Sequence, residues 1–429
     1  AAAGSLDLML WCKDKLHSES MLKLLKLQDS EGQTFMHIVS TKGQADFIAS
    51  FFDSLSSTFD PNTVVEFLSI QDKRQRTALH IAAEAGSFDL MLWCKDKLHP
   101  ELLLKLLKLQ DSERQTLMYF MTTKGQADLV PSVLCSIDPH QRLKLLSIQN
   151  DAGQTPLHNA LCLCQELEYN HTDFVTSLLQ QLTPKESVSL IFSTDKLGRT
   201  PVHTAAQHRQ TAFIKLLFSF LSAEQRIQIA SARDKNGATS IHAASRGGNP
   251  LTVTYLLSCL NSGLQYEAIC TQDINGETPI HVATAARQIF TLRSLLQCLN
   301  DQKVHAICIQ NNGGSTPLQL AAINGDRNAI KALLKDLEGE QRIDVISLMI
   351  HTAAQFRNRD WVMKLLLETL SLEQKLILFN GAVKEDEGMS MTHDELVVKT
   401  KHSKSYLGFT GILCVFLLLI FHLCLMCRR

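Results

Sequence analysis

The sequence predicts an all-α solenoid, a linear stack of short helical units, followed by one helix long enough to cross a membrane. Three observations carry this reading. A short phrase, Thr200-Pro201-Val202-His203-Thr204-Ala205-Ala206, returns again and again along the chain. It returns at a near-fixed interval, the sign of one supersecondary unit stacked on its own copies. Near the end, Leu407–Cys427 runs for 21 residues without a formal charge.

The copies of the phrase are Thr155-Pro156-Leu157-His158, Thr239-Ser240-Ile241-His242, Thr278-Pro279-Ile280-His281 and Thr316-Pro317-Leu318-Gln319, with worn versions starting at Thr34, Thr77 and Thr116. Ahead of it stands Asp-x-x-Gly-x-Thr, as in Asp195 to Thr200, Asp234 to Thr239 and Asp273 to Thr278. Asp can bond its own backbone and Gly tolerates positive φ, so this lead-in predicts a tight turn. Thr then caps a helix, and Pro at the first helical position lacks only an N–H that would go unpaired anyway. The phrase resembles the signature of ankyrin repeats, over roughly residues 1–380. That resemblance implies helix-turn-helix units with β-turn tips, and a protein-binding role.

The interval is longer than the ankyrin period of about 33 residues. Successive Thr positions 34, 77, 116, 155, 200, 239, 278 and 316 lie 38 to 45 apart. The extra residues form a segment of their own: Ser222-Ala223-Glu224-Gln225, Thr183-Pro184-Lys185-Glu186 and Asp138-Pro139-His140-Gln141. A capping residue with Glu or Gln three positions later starts a helix, so an added helical turn or two is expected in each unit.

Residues 4–47 match 86–129 at 33 of 44 positions, an internal duplication two repeats apart. The alignment sets Ala1 inside the first helix of a repeat, so the given chain is expected to begin mid-repeat. Thr116-Leu117-Met118-Tyr119 has lost the His and the small Ala pair, and Pro131 falls where the next helix should run and should kink it. Met349 to Ala354 keeps the helix but not the Thr-Pro entry, and Trp361 to Leu366 fits a second helix. The expected array is thus eight phrase-bearing repeats, a partial one before them and a degenerate one after.

The motif histidines His37, His80, His158, His203, His242, His281 and His351 sit one per unit and have no partner at ligand spacing, so they are expected to bond backbone rather than metal. The Ala pairs let helices approach, and Leu216-Leu217, Leu256-Leu257, Leu295-Leu296 and Leu333-Leu334 are expected to fill the core. With 42 basic and 43 acidic residues the net charge is −1, which argues against nucleic-acid binding by the whole chain. Twelve scattered Cys suit a reducing compartment rather than disulfides or zinc. No phosphate loop, H-E-x-x-H or nucleophile–base pair is present, so no catalytic residue, cofactor, metal or small-molecule substrate is expected.

At ~1.5 Å rise per residue, Leu407–Cys427 spans about 30 Å, a hydrocarbon core's thickness. His422 is its single strongly polar side chain and lies near the end. Lys399, Lys401 and Lys404 precede the run and Arg428 and Arg429 follow it. Residues 406–429 therefore read as a transmembrane tail anchor in the lipid bilayer, 381–405 as a juxtamembrane tether, and 1–380 as the array, a single-pass membrane protein with its repeats facing the cytosol. Cys424 and Cys427 are candidate palmitoylation sites or simply small apolar residues.

The expected function is a membrane-anchored scaffold or adaptor for protein partners. In ankyrin families partners lie against the β-turn tips and the concave face. On this sequence those tips include Lys73, Arg74, Arg76, Lys196, Arg199, Lys235, Asn236, Asn275 and Glu277. Alternatives are a channel, transport or receptor subunit, a bacterial effector acting on host proteins, or an enzyme whose catalytic domain lies upstream of Ala1.

Overall fold

A computed structural model describes residues 17–40, 58–123, 129–162 and 171–335, together with Lys15, Phe51, Asp53, Leu337 and 341–346. The chain divides into two compact units, Ala1–Ile274 and Asn275–Arg429. Among the described residues every regular element is helical, apart from isolated bridges at Gln110–Thr116 and Arg233–Thr239.

In the first unit each Thr of the phrase opens a helix. Thr77 and Thr200 stand in extended conformation ahead of Ala78–Glu84 and Pro201–Gln207, and Pro201 is the first residue of its helix, as its fixed φ favours. A second helix follows, Thr211–Ser219 in the repeat of Thr200 and Pro250–Ser258 in the repeat of Thr239. Between it and the next turn lies a third helix: Pro100–Leu107, Pro139–Leu146, Pro184–Ile191, Ala223–Ala230 or Ser262–Cys270. The capping residues seen in the sequence start these. Thr183 and Glu186 close a reciprocal pair, and so do Ser222 and Gln225.

The third helix has a bonding duty that explains its constant place. The residue at its fourth position turns back onto the second helix. Arg226 Nε donates to the Phe218 and Leu221 carbonyls, Gln265 Nε2 to those of Leu257 and Leu260, and Ser187 Oγ to that of Leu179. These carbonyls lie at or just past the C-terminus of the second helix, and those of Phe218, Leu257 and Leu179 accept the side chain in addition to a backbone N–H; a positive charge there is also favoured by the helix dipole.

Packing is like on like. The entry helix Pro201–Gln207 lies between Pro156–Cys162 and Ser240–Gly247, and Thr211–Ser219 lies between His171–Gln180 and Pro250–Ser258. Ala205 and Ala206 are wholly buried at the first of these seams, as are Leu217 and Phe218 at the second. Leu216 departs from expectation and is half-buried, because Leu217 and Phe218 take the inward positions. Pro131 is the third residue of the helix Leu129–Cys135, in the first turn, where its missing N–H would have no helical partner, and Val130, Val133 and Leu134 beside it are completely buried.

The second unit repeats the plan at Thr278 and Thr316, with Pro279–Ala285, Ile289–Gln297 and Lys303–Cys308, then Pro317–Ile323 and Arg327–Leu334. Buried Lys303 reaches the Lys335 carbonyl at the end of Arg327–Leu334, another cap. No helix of the described residues is long and apolar enough to cross a membrane. The expected span Leu407–Cys427, the tether 381–405, the degenerate repeat around His351 and the N-terminal residues 1–14 lie outside the described residues.

Candidate functional site: a row of turn tips

The turns ahead of each Thr are built by one side chain. Asp72 Oδ1 accepts from the N–H of Arg74 and of Arg76, both at 2.8 Å. Asp29, Asp111, Asn150, Asp195, Asp234 and Asn311 bond the second and fourth residues after them in the same way. The fourth residue of each turn takes positive φ; it is Gly in most copies but Gln75 and Arg114 in two. Neighbouring tips are then joined by backbone bonds. In the first unit Lys73 donates to Glu31, Ser112 to Arg74, Asp151 to Glu113, Lys196 to Ala152, Lys235 to Leu197 and Ile274 to Asn236, at 2.8–3.0 Å. In the second, Asn312 donates to Asn275.

Beneath the tips lies a second row, of histidines. Nδ1 of His37, His158 and His203 sits 3.0–3.3 Å from the N–H of its own Thr, which it accepts. Nε2–H is thereby left to donate forward, to the carbonyls of Arg76, Arg199 and Ala238. His281 does the same toward Ser315 in the second unit, and Gln319 there keeps the backward bond, its Oε1 accepting from Thr316 N at 2.6 Å. Each imidazole ties one repeat to the next. A third row, unforeseen from the sequence, is made of glutamines: Gln28 bonds the Gln71 carbonyl, Gln71 that of Gln110, Gln110 that of Gln149 and Gln149 that of Thr194.

The worn repeat at Thr116 breaks the second row in an instructive way. Tyr119 stands where the His should, and its phenol reaches forward to the Gln154 carbonyl and accepts from Asn150 N. A phenol has no counterpart to Nδ1, so Thr116 Oγ1 is buried without a hydrogen-bond partner. On the other side His80 Nε2 faces the Leu109 and Gln115 carbonyls but closes no bond with them. Removing a buried orphan hydroxyl should help: Thr116→Val is expected to raise stability by about 1 kcal/mol, read as a higher denaturation midpoint. A lower midpoint would mean that the hydroxyl is bonded after all.

Of the tip residues expected to face outward, Lys73, Arg74, Lys196, Lys235, Asn236 and Asn275 are exposed. Lys73 has a loose ion pair with Glu31 at 3.9 Å. Two arginines expected to face outward do not. Arg76 is bonded by Asp72 and Glu84, with 18% of its side chain exposed, and Arg199 by Asp195, with 26%. Both stand four residues after the turn's own carboxylate, whose second oxygen draws the guanidinium back. Burial works against the Asp72 carboxylate, yet the Arg76 backbone and side chain outweigh it and hold its pKa below the ordinary value. Glu277 is half-buried. Arg114, Leu197 and Ile274 are exposed at the same row, and nothing in their sequence pattern singles them out.

The described cysteines are free thiols, and no metal-binding cluster occurs among the described residues. Cys424 and Cys427 lie outside them. Residues 163–268 and 259–345 match the family model for ankyrin repeats, described as three copies. No curated protein matches the chain. Residues 163–345 are thus similar to ankyrin repeats.

Proposed function

We propose, from this likeness to ankyrin repeats, that the chain is a scaffold or adaptor that binds a protein partner across its turn tips and is held to a membrane by Leu407–Cys427, its repeats facing the cytosol. The supporting observation is a division of labour at the tips. Asp72, Arg76, Asp195 and Arg199 are spent on the turns, while Lys73, Arg74, Lys196 and Lys235 extend into solvent. Exposed side chains on a rigid, backbone-bonded frame cost little ordering entropy on binding. Reversing Lys73, Arg74, Lys196 and Lys235 together to Glu should weaken recovery of the partner by proximity labelling in cells about tenfold or more. The denaturation midpoint should stay nearly unchanged, since exposed substitutions cost within about 0.5 kcal/mol each. An unaltered set of partners would remove the tips from the binding surface.

Membrane anchoring is supported by the length and lack of charge of 407–427. An acceptor tag for glycosylation after Arg429, translated with microsomes, tests it. Glycosylated product places the C-terminus in the lumen; unglycosylated protein released by alkaline carbonate rejects the anchor.

A further inference from the structure

One seam of the first unit differs from the seams on either side of it. Between the repeats of Thr34 and Thr77, His37 Nε2 lies 2.9 Å from the Arg76 carbonyl, and Asp53 takes Trp93 Nε1–H and Lys97, each at 3.0 Å. Between the repeats of Thr116 and Thr155, the Tyr119 phenol accepts the Asn150 N–H at 3.1 Å, and Asn159 Nδ2 donates to Thr122 Oγ1 at 2.7 Å. At the seam between those two pairs, where the repeat of Thr77 meets that of Thr116, His80 Nε2 and Thr116 Oγ1 are both buried without a hydrogen-bond partner. The rings of His80 and Phe120 touch across it edge to face, with centroids 5.7 Å apart. Its hydrogen bonds lie at the rim: Ser112 N–H to the Arg74 carbonyl, Gln71 to that of Gln110, and exposed Lys108 to Gln141 at 3.3 Å.

The turns on the two sides of this same seam are also strained. Gln75 and Arg114 hold φ of 57° and 59° at the position where the other described tips have Gly, a conformation that a Cβ disfavours. Buried hydroxyls without partners occur elsewhere, as at Thr204 and Ser245 on the entry helices of the repeats of Thr200 and Thr239. There, however, His203 keeps its forward bond to Ala238, and Arg209 donates to the Gly247 and Gly248 carbonyls at 2.7 and 2.8 Å. Among the described residues of the first unit, strained tips and orphaned members of the Thr–His row coincide at the seam of Thr77 and Thr116.

We propose that the first unit is built to part at this seam: in a minor state of the folded protein, the repeats before Gln110 open as one cooperative block while those after Thr116 stay closed. In a solenoid each repeat contacts only its neighbours, so stability is a sum of repeat and interface terms, and the array yields where an interface is weakest. Opening lets water bond His80 Nε2 and Thr116 Oγ1, which the closed seam leaves unpaired, and it lets Gln75 and Arg114 leave the left-handed region. Both gains belong to this seam. The opened form uncovers the side of Leu117–Thr123 that packs on Ala78–Glu84, and the N-terminal repeats are released without loss of the turn tips that follow. The opening requires neither a membrane nor a partner.

Hydrogen exchange of the full chain, followed by mass spectrometry at low urea concentrations, tests this. Peptides within 78–107 are expected to share one rate and one urea dependence, and those within 139–258 to exchange about tenfold more slowly or less. Ile214→Val, at a completely buried site on Thr211–Ser219, is mild enough to leave the protein folded. It should speed exchange within 201–258 about fivefold and leave 78–107 unchanged. Arg114→Gly with Thr116→Val should slow exchange within 78–107 about tenfold. Equal acceleration of both regions by Ile214→Val would make the first unit a single cooperative body and overturn the proposal. Protection that changes gradually from repeat to repeat, or in a step at another seam, would overturn it too, as would no slowing within 78–107 in the double variant.

Discussion

Gly153→Ala is expected to destabilise the first unit by about 3 kcal/mol or more, against roughly 1 kcal/mol for Gly314→Ala at the same turn position of a later repeat. The two glycines share a backbone conformation, φ +73° and +71°, so the strain of placing a Cβ in the left-handed region is common to both. They differ in what that Cβ would meet. At 153 it would lie 2.5 Å from Lys196 N and 2.8 Å from Lys196 Cγ, whereas at 314 nothing stands within 4 Å. Lys196 N–H donates to the Ala152 carbonyl, so the collision would push adjacent tips apart at the bond that joins them. Exchange of the Lys196 amide should accelerate in Gly153→Ala, and urea unfolding should give the difference in stability. Equal losses at the two sites would mean that the tips are free to shift apart and that the ladder contributes little.

That ladder shows how far the sequence is legible. The turn, the cap and the proline are readable because each depends on a single residue's backbone chemistry: Asp195 bonding ahead, Gly198 at positive φ, Thr200 as cap, Pro201 at the helix start. The third helix is readable for the same reason, through Thr183 with Glu186 and Ser222 with Gln225. Part of what escapes depends on neighbours 39 to 45 residues away. The Gln28, Gln71, Gln110 and Gln149 row uses side chains that look like ordinary solvated polar residues until the next repeat's carbonyl is in place. The signal for it is Gln directly before the turn's acidic or amide residue, recurring with the period of the phrase. Arg76 and Arg199 look outward in sequence because a turn tip is exposed, but a carboxylate four residues earlier is close enough to fold them back. Tyr119 looks like a loss of the motif, although its phenol preserves the forward half of what histidine does.

Acidification is expected to unfold this array earlier than its carboxylates alone would. Burial, the largest cause, pulls His80 and His158 down to about 4 and lowers His37 and His203. In the unfolded chain these imidazoles titrate near 6.5. Between the two values the unfolded state binds more protons than the folded one, so stability is complete above about 6.5 and falls as the pH drops toward 4. Each of His80 and His158 should contribute a loss of about 3 kcal/mol across that window, at ~1.4 kcal/mol per pH unit. The structural cause is local: a proton on Nδ1 would set two donors, that N–H and the Thr155 N–H, against each other. Among the carboxylates, Asp72, held low by Arg76, adds to the acid loss, while Asp111, raised by burial, opposes it. His158→Gln separates the histidine's share, because Gln319 already shows an amide oxygen accepting the same Thr N–H and an amide does not titrate. Relative to its own stability at pH 7.5, the variant should lose about 2 kcal/mol less than the parent on going to pH 5. An identical loss in both proteins would show that position 158 takes up its proton folded and unfolded alike, and that the histidine row carries no pH dependence.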